Sequence, residues 1–516
     1  MMQLGKMLEE HARVRPDHTA YIFRETETTW KQYDEQANRI ANAFLSIGLR
    51  PGDFIATLLP QSSAFSNIFA AAAKVGIVLV PLDLRNSVSE MAALCRRTNP
   101  RILLSLAFNE GTRKLAESLA EEVRFERVYS FMGSLHWESA EPYENLLEFP
   151  ADPVPDSAAP AEDDPFVVVF TSGTTGRPKG AMISHKNTYA IARATVDSWK
   201  ISPEDRMLCN LPTSHVGGTH DLLAVQILAG ATGVLAPSFD PQQMLQFCSK
   251  FGLTVIGGVP TMYRLTFKQC AVKDYDVDSV RLIIVSGEPS PVELIYQINS
   301  EFPNATVVAS FGMTETSGFF TFTKLDDSLE VVARTEGTPY HAFDMKILRS
   351  DGQWAAAGEV GEMLVRGDSV ISGYLEPEDN KGSFLDGWHK SGDLGYMDAN
   401  NYLHCVGRTK EMFISGGYNV YPLEIESYLN AHPKINSSCV IEIPDEIWGE
   451  VGCAFVVPED GGAIREEDIE QYCRDGLADY KRPRKIIVEK ELPRTVVGKV
   501  AKQEIRKNIR KYLSTG

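Results

Sequence analysis

The chain is expected to fold as an α/β protein. A large N-terminal domain of layered α/β subdomains should carry a small β subdomain near its end, followed by a small α+β C-terminal domain. Three observations lead there. Between residues 54 and 131, apolar β-branched runs alternate with helical-period segments, the order that builds parallel sheets with helices on their faces. The alternation returns between about 205 and 345. Beyond about 343 the texture changes to short strands and glycine turns, and from 408 to a compact mixture of helices and strands.

The elements follow in order. Residues 4–14 have an amphipathic helical pattern, and 19–23 with 28–30 form a hairpin pattern. Over 31–48, Tyr33, Ala37, Ile40, Ala41 and Phe44 recur at helical spacing until Gly48 and Pro51 stop the helix. Residues 54–59 read as a strand, 62–75 as a helix and 77–82 as a strand, with further strands at 101–105 and 127–131. The apolar stretch 65–82 is broken by Asn67 and Lys74, so it reads as a buried helix and strand, not as a membrane span. Five prolines between 149 and 165 mark an exposed connector. Strands are expected near 232–236, 254–257, 281–285 and 306–309, with glycine-rich turns after the last three. Open α/β sheets bind ligands at the carboxyl ends of their strands, where such turns lie. Short strands follow at 344–348, 362–366, 395–397 and 402–405. The C-terminal piece reads as strand 412–414, helix 422–430, strands 437–443 and 452–457, helix 465–476, strand 485–490 and helix 500–512.

Composition narrows the function classes. The 516 residues carry a formal net charge of −18 with 43% hydrophobic and 23% charged content. An acidic chain repels nucleic acid and anionic membranes, so neither is expected as a partner. None of the eight cysteines forms a Cys-x-x-Cys pair, which argues against a zinc or redox pair and for reduced thiols in the cytoplasm. The first residues lack an apolar signal core, and the final Ser-Thr-Gly is no peroxisomal signal. A homodimer is left open.

The chemistry centres on Thr171-Ser-Gly-Thr-Thr-Gly-Arg-Pro-Lys-Gly180, which follows the apolar run 165–170. Ser172, Thr174 and Thr175 offer hydroxyls. Gly173 and Gly176 let backbone N–H groups turn toward one point, and Lys179 adds a positive charge. Strand, hydroxyl-and-glycine loop and lysine suit a polyphosphate, although Gly, Ser and Thr also dominate plain surface turns. The loop is not the common P-loop, because Gly180 follows Lys179.

Further motifs are Leu211-Pro-Thr-Ser-His215, Ser310-Phe-Gly-Met-Thr-Glu315, Trp388-His-Lys-Ser-Gly-Asp-Leu394, Gly407-Arg-Thr-Lys-Glu411 and Pro493-Arg-Thr-Val-Val-Gly-Lys499. Together, in this order and over nearly the whole length, they resemble the adenylate-forming superfamily of acyl-CoA synthetases, peptide-synthetase adenylation domains and luciferases. The resemblance implies that a carboxylate attacks the α-phosphate of ATP, giving acyl-AMP and pyrophosphate, and that coenzyme A then displaces AMP. ATP, Mg²⁺ and coenzyme A are the implied cofactors. A carboxylate approaching a triphosphate meets like-charge repulsion, so fixed cations and donors aimed at the developing charge should dominate catalysis.

The resemblance also implies residue roles. Thr171 to Lys179 would cradle the β- and γ-phosphates. Thr314 would contact phosphate and Glu315 would bind Mg²⁺. Phe311, with Gly312, stands where the family usually has Tyr and would stack on adenine. Gly287 and Glu288 resemble the adenine-contacting turn, with Glu288 a departure from a small residue. Asp393 would accept from the ribose hydroxyls, with Ser391 in place of the commoner Thr, and Arg408 would contact ribose or phosphate. Lys499 would swing in to bind the carboxylate and α-phosphate. Lys410 matches the hinge between an ATP- and acid-binding domain, 1–407, and a swinging domain, 408–516. For coenzyme A, Gly417 would line the pantetheine channel. Trp448, Arg482, Arg484 and Arg85 are candidate nucleotide contacts, weighed against plain surface charge.

His215 matches an aromatic gate beside the acyl pocket. Val216 stands where amino-acid-activating relatives have Asp, so an amino acid is a poor substrate. Gly217, Gly218, Ser317 and Gly318 are small, and Val216 and Val259 make the walls apolar. A medium-chain, alicyclic or aromatic acid fits. The leading expectation is an AMP-forming acid–CoA ligase. The alternatives are an adenylating enzyme serving a carrier protein and a nucleotide-binding homologue without catalysis.

Overall fold

The computed structural model describes residues 3–132, 137–171, 177–288, 290–459, 464–494 and 500–513. Two seven-stranded sheets dominate it. The first orders its strands Thr306–Ser310, Leu282–Ser286, Val255–Gly258, Arg206–Cys209, Thr232–Leu235, Thr19–Phe23 and Thr26–Thr29. All neighbours are parallel except the last pair, a hairpin. The second runs Glu141–Pro142, Arg127–Phe131, Ile102–Leu106, Phe54–Leu58, Val78–Pro81, Pro165–Thr171 and Lys179–Ser184, antiparallel only at the last pair.

Helix Ser63–Val75 shows why the stretch 65–82 is so apolar: every residue from Ala64 to Val75 is buried. It belongs to one hydrophobic core that draws on both sheets and on helices Trp30–Ile47 and His185–Trp199. Lys74, the charge interrupting that stretch, is buried too, with its ammonium 2.8 Å from Asp34 and 3.0 Å from Glu9. Removing both partners would leave a buried charge uncompensated. The proline connector is held at the surface by helix Trp30–Ile47. Asn42 donates to the Pro150 and Asp152 carbonyls, and Arg39 to those of Leu147 and Phe149.

A five-stranded sheet follows, with Asp344–Leu348, Gly361–Arg366, Trp388–Met397 and Phe384–Leu385 in order and Leu403–Arg408 paired to Trp388–Met397. Strand Trp388–Met397 is longer than the expected 395–397. Gly392, with φ +74°, lies in a bulge where pairing with Gly361–Arg366 skips from Lys390 to Leu394, so the strand continues on both sides of the Asp393 motif. A last sheet orders Tyr418–Val420, Phe413–Ser415, Gly449–Pro458 and Ile435–Asp445, with Lys485–Val488 parallel to Gly449–Pro458. Helices Pro422–Asn430 and Glu466–Gly476 pack on it through Ile425, Leu429, Ile469 and Cys473. Helix Lys502–Leu513 packs through Ile505 against Cys439, Ile441 and Phe455.

Among the described residues no helix is long and apolar enough to cross a membrane. Six of the eight cysteines are buried. Burial pushes the thiols of Cys95, Cys209, Cys248 and Cys453 up to about 12 and that of Cys473 to about 11.

Candidate active site

The sheets explain why motifs far apart in sequence meet. In the first sheet, four adjacent parallel strands end side by side. After Arg206–Cys209 comes the loop to His215, after Val255–Gly258 comes Val259, after Leu282–Ser286 come Gly287 and Glu288, and after Thr306–Ser310 comes Phe311. The Ser286 hydroxyl donates to the Ser310 carbonyl at 2.8 Å, tying two of these ends together. The second sheet meets the first at the same end. Thr213 donates to the Leu59 carbonyl at 2.6 Å, Gln61 to the Gly218 carbonyl at 2.9 Å, and Ser214 to Asp83 at 2.8 Å. The carboxyl ends of both sheets therefore line one region, the place where open α/β sheets take ligands.

The decapeptide closes a hairpin, with Thr171 opposite Lys179. Its inner residues Ser172, Gly173, Thr174 and Thr175, and also Lys499, lie outside the described residues. The Lys179 ammonium donates to the Asp379 carbonyl at 3.0 Å and sits 4.6 Å from the centre of the Tyr374 ring. Tyr374 belongs to a segment that extends the ladder of Lys179–Ser184, through an Ala181–Tyr374 bridge and a 2.8 Å bond from the Leu375 N–H to the Gly180 carbonyl. Arg97 clamps the same segment. It pairs with Glu376 and donates to the Pro178 carbonyl at 2.7 Å.

Glu315 lies on the short helical turn Thr314–Thr316, half-buried, and accepts the Tyr374 hydroxyl at 2.8 Å. His389 Nε2 lies 3.4 Å from that hydroxyl. Burial and the nearby Lys179 charge push His389 down to about 4, so it is neutral at pH 7. Lys179, Glu315 and His389 are thus joined through Tyr374. Sequence reasoning passes over both connecting residues. His389 is legible inside the Trp388–Leu394 motif, whereas Tyr374 lies in a stretch with no periodic pattern.

Asp393 is buried opposite Arg408 on the neighbouring strand, and Arg408 Nε is 2.9 Å from its carboxylate. The Asp393 charge holds Arg408 above its ordinary value. Phe311 packs against the core of the five-stranded sheet, beside Ile347, Met363 and Leu403. Gly287 has φ +88°, which favours glycine, and Glu288 accepts the Thr261 hydroxyl at 3.0 Å. Arg264 lies within electrostatic range of Glu288 and also of Glu459 and Arg494 from the C-terminal piece. Arg494 in turn bridges to Val500 across the segment that carries Lys499.

The residues expected around the acyl pocket are closely packed. A side chain at Gly218 would strike the Pro212 carbonyl at 2.2 Å, and one at Gly318 would strike the Asp221 carboxylate at 2.1 Å. At both positions the side-chain direction is occupied by the chain itself. Gly312 is fixed likewise by the Gly318 carbonyl. Ser317 is fully buried and donates to the Ser369 carbonyl at 2.7 Å, while Val216 lies in the core. Gly217 lets the exposed His215 ring sit over it, and its N–H donates to His215 Nδ1 at 3.0 Å. These residues begin the π-helical stretch Gly217–Ala224.

The C-terminal candidates form two groups. Gly416 and Gly417 are the two-residue turn of a hairpin, with φ of +57° and +87°. Two successive positive φ angles of this kind call for glycine. The backbone at Gly417 faces open space, whereas a side chain at Gly416 would meet the Trp448 ring at 2.5 Å. Arg484 lies over Trp448 at 5.3 Å and pairs with Asp479. Arg482 donates to the Leu477 carbonyl at 2.9 Å and so secures the end of helix Glu466–Gly476. Arg85 is paired bidentately with Asp83, next to Ser214. Lys410 lies exposed in the turn between strands Leu403–Arg408 and Phe413–Ser415, which belong to different sheets. The next residue, Glu411, pairs with Lys502 at 2.7 Å, and Lys502 also reaches Glu426 at 2.8 Å.

A strand hairpin ending at Lys179, an acidic turn joined to it through Tyr374 and a crescent of strand ends fit a nucleotide-using α/β enzyme. The chain belongs to the AMP-binding enzymes, within the acid–CoA ligase branch of the adenylate-forming superfamily. The family's main model matches residues 8–375, and the model of its C-terminal domain matches 424–499. The chain is 31% identical to a feruloyl-CoA synthase of Amycolatopsis over 98% of each chain, and 31% identical to an indoleacetate–CoA ligase of Aromatoleum aromaticum over 98% of each. Among solved structures, the anthranilate CoA ligase AuaEII in complex with anthranoyl-AMP superposes with a TM-score of 0.91 at 25% identity, covering 99% of this chain and 98% of the other. The o-succinylbenzoate CoA synthetase MenE of Bacillus subtilis, in complex with ATP and a magnesium ion, gives 0.84 at 28% identity, covering 97% and 99%.

Proposed function

We propose that the protein is an AMP-forming acid–CoA ligase acting on an aromatic, alicyclic or medium-chain carboxylic acid. ATP and the acid give acyl-AMP and pyrophosphate, and coenzyme A then gives the thioester and AMP. The carrying observation is the joining of Lys179, Glu315 and the strand of Asp393 through one tyrosine. A phosphate-side cation, a carboxylate and a ribose-side acid are thereby held in one frame. The names of the feruloyl, indoleacetate and anthranilate relatives support an acid with a ring, and the bound molecules of the solved relatives support ATP with magnesium.

In this reading, Thr171 to Lys179 grip the β- and γ-phosphates, and Phe311 with Gly287 and Glu288 holds adenine. Asp393 accepts from the ribose hydroxyls, with Arg408 beside it. The acid lies beside His215 and Val259. Among the described residues no group of three or more His, Cys, Asp or Glu forms a metal cage. A single acid such as Glu315 suits Mg²⁺, which is held largely by substrate phosphates and water. When bound, the ion would neutralise phosphate charge. Lys499 supplies the cation that lets the carboxylate approach phosphorus. Residues 408–516 then rotate about Lys410, placing the Gly416–Gly417 turn and Trp448 beside coenzyme A.

A panel of carboxylic acids assayed for ATP-dependent pyrophosphate release, then for thioester formation with coenzyme A, tests the reading. Pyrophosphate release without any thioester would replace it with transfer to a carrier protein. Lys499→Ala is expected to abolish adenylation while sparing thioester formation from supplied acyl-AMP. Equal loss of both half-reactions would refute the rotation.

A further inference from the structure

Tyr374 is engaged on three sides. Its hydroxyl has one proton to give, and Glu315 takes it at 2.8 Å. His389 Nε2, 3.4 Å away, is then the donor to the tyrosine oxygen, which selects the Nε2–H tautomer. His389 Nδ1 is buried and has no partner among the described residues. The face of the ring lies 4.6 Å from the Lys179 ammonium, a cation–π distance. The backbone of this residue is fixed as well, by the Ala181 bridge and the Gly180 carbonyl. Tyr374 is 8% exposed and His389 2%, so water competes weakly for these contacts.

We propose that Tyr374 is a positioning residue that sets the Glu315 carboxylate and the Lys179 ammonium as one unit, oriented by His389, so that metal-linked and phosphate-linked binding are coupled. This rests on the acid–CoA ligase reading. A carboxylate has two oxygens. Holding one with Tyr374 leaves the other aimed toward the ligand, so the side-chain entropy of Glu315 is lost before ATP arrives. The ring, together with the Asp379 carbonyl, does the same for Lys179, whose long side chain samples many rotamers when free.

Two binding measurements separate this role from a merely structural one. Calorimetry is run with ATP plus Mg²⁺, and with AMP in chelator. Tyr374→Phe keeps the ring under Lys179 and removes the hydroxyl that donates to Glu315 and faces His389. It is expected to weaken Mg²⁺-ATP about tenfold, the scale of one hydrogen bond to a charged group, with AMP affinity unchanged. Tyr374→Leu also removes the ring and is expected to weaken metal-free ATP several-fold, about the scale of one cation–π contact. His389→Gln keeps a donor near the Nε2 position and is expected to stay close to wild type. If Tyr374→Phe bound Mg²⁺-ATP like wild type, or lost AMP in equal measure, the proposal would be overturned. A wild-type protein that bound no Mg²⁺-ATP would instead overturn the ligase reading on which it stands.

Discussion

Replacing Asp221 by Asn should stabilise the protein in a pH-dependent way. Asp221 lies in the π-helical stretch, 5% exposed, and its Oδ1 accepts the Phe319 N–H at 3.1 Å. Burial pushes its carboxyl well above the ordinary 3.8, so it enters the fold carrying its proton. In the unfolded chain the same group ionises near 3.8. Above that pH the native state binds more protons than the unfolded one, so stability falls as pH rises. The slope is up to about 1.4 kcal/mol per pH unit, until the folded group ionises too. Asn keeps the shape and the acceptor but never ionises. Asp221→Asn should therefore match wild type near pH 4 and gain on it steadily toward neutral pH. Asp221→Ala, which cannot ionise either, strands the Phe319 N–H and should lie about 1–3 kcal/mol below Asp221→Asn at every pH. Trp199, whose ring is 5.4 Å from that of Phe319, makes urea unfolding followed by tryptophan fluorescence a suitable assay. A wild-type-to-Asn difference that stayed flat between pH 4.5 and 7.5 would refute the buried-proton argument.

Lys502→Met should cost roughly 3 kcal/mol, because it leaves Glu411 and Glu426 facing each other without their cation. Burial opposes the Lys502 charge, yet Glu426 and Glu411 hold its pKa above the ordinary value. Thermal melting measures the loss, and unchanged melting would show that the pair contributes nothing. Gly417→Ala should cost about 1–2 kcal/mol for its left-handed backbone. Gly416→Ala should cost more, because its new methyl meets the Trp448 ring. Equal losses in urea titrations would contradict that crowding.

Most strands of the two large sheets were legible because buried parallel strands are apolar runs rich in β-branched residues, as in 165–170 and 306–309, whereas Arg206–Cys209, Lys179–Ser184 and Glu141–Pro142 were not read as strands. The C-terminal elements were legible to within about three residues at each end, except the short strand Tyr418–Val420, which was not expected. The strand through Asp393 was not, because Gly392 and Ser391 read as a turn although a bulge at that glycine lets the strand continue. Gly218 and Gly318 show what a glycine alone can tell. A glycine reports that something lies close to its Cα, without saying whether that is a ligand, a carbonyl or Asp221. Lys502 and Arg506 look like a basic tail in sequence, yet Lys502 pairs with Glu411 and Glu426, and Arg506 with Glu442. Tyr374 was invisible for want of pattern: its position comes from a strand bridge to a segment nearly two hundred residues away.

The cysteines carry a consequence for an enzyme of this kind. An acyl-adenylate reacts with whatever sulfur nucleophile reaches it, and the thiolate is the form that attacks. With Cys95, Cys209, Cys248 and Cys453 held protonated far above neutral pH, these side chains offer the activated acid no rival to the incoming thiol. The protein can build thioesters on a foreign sulfur while these sulfurs of its own stay silent.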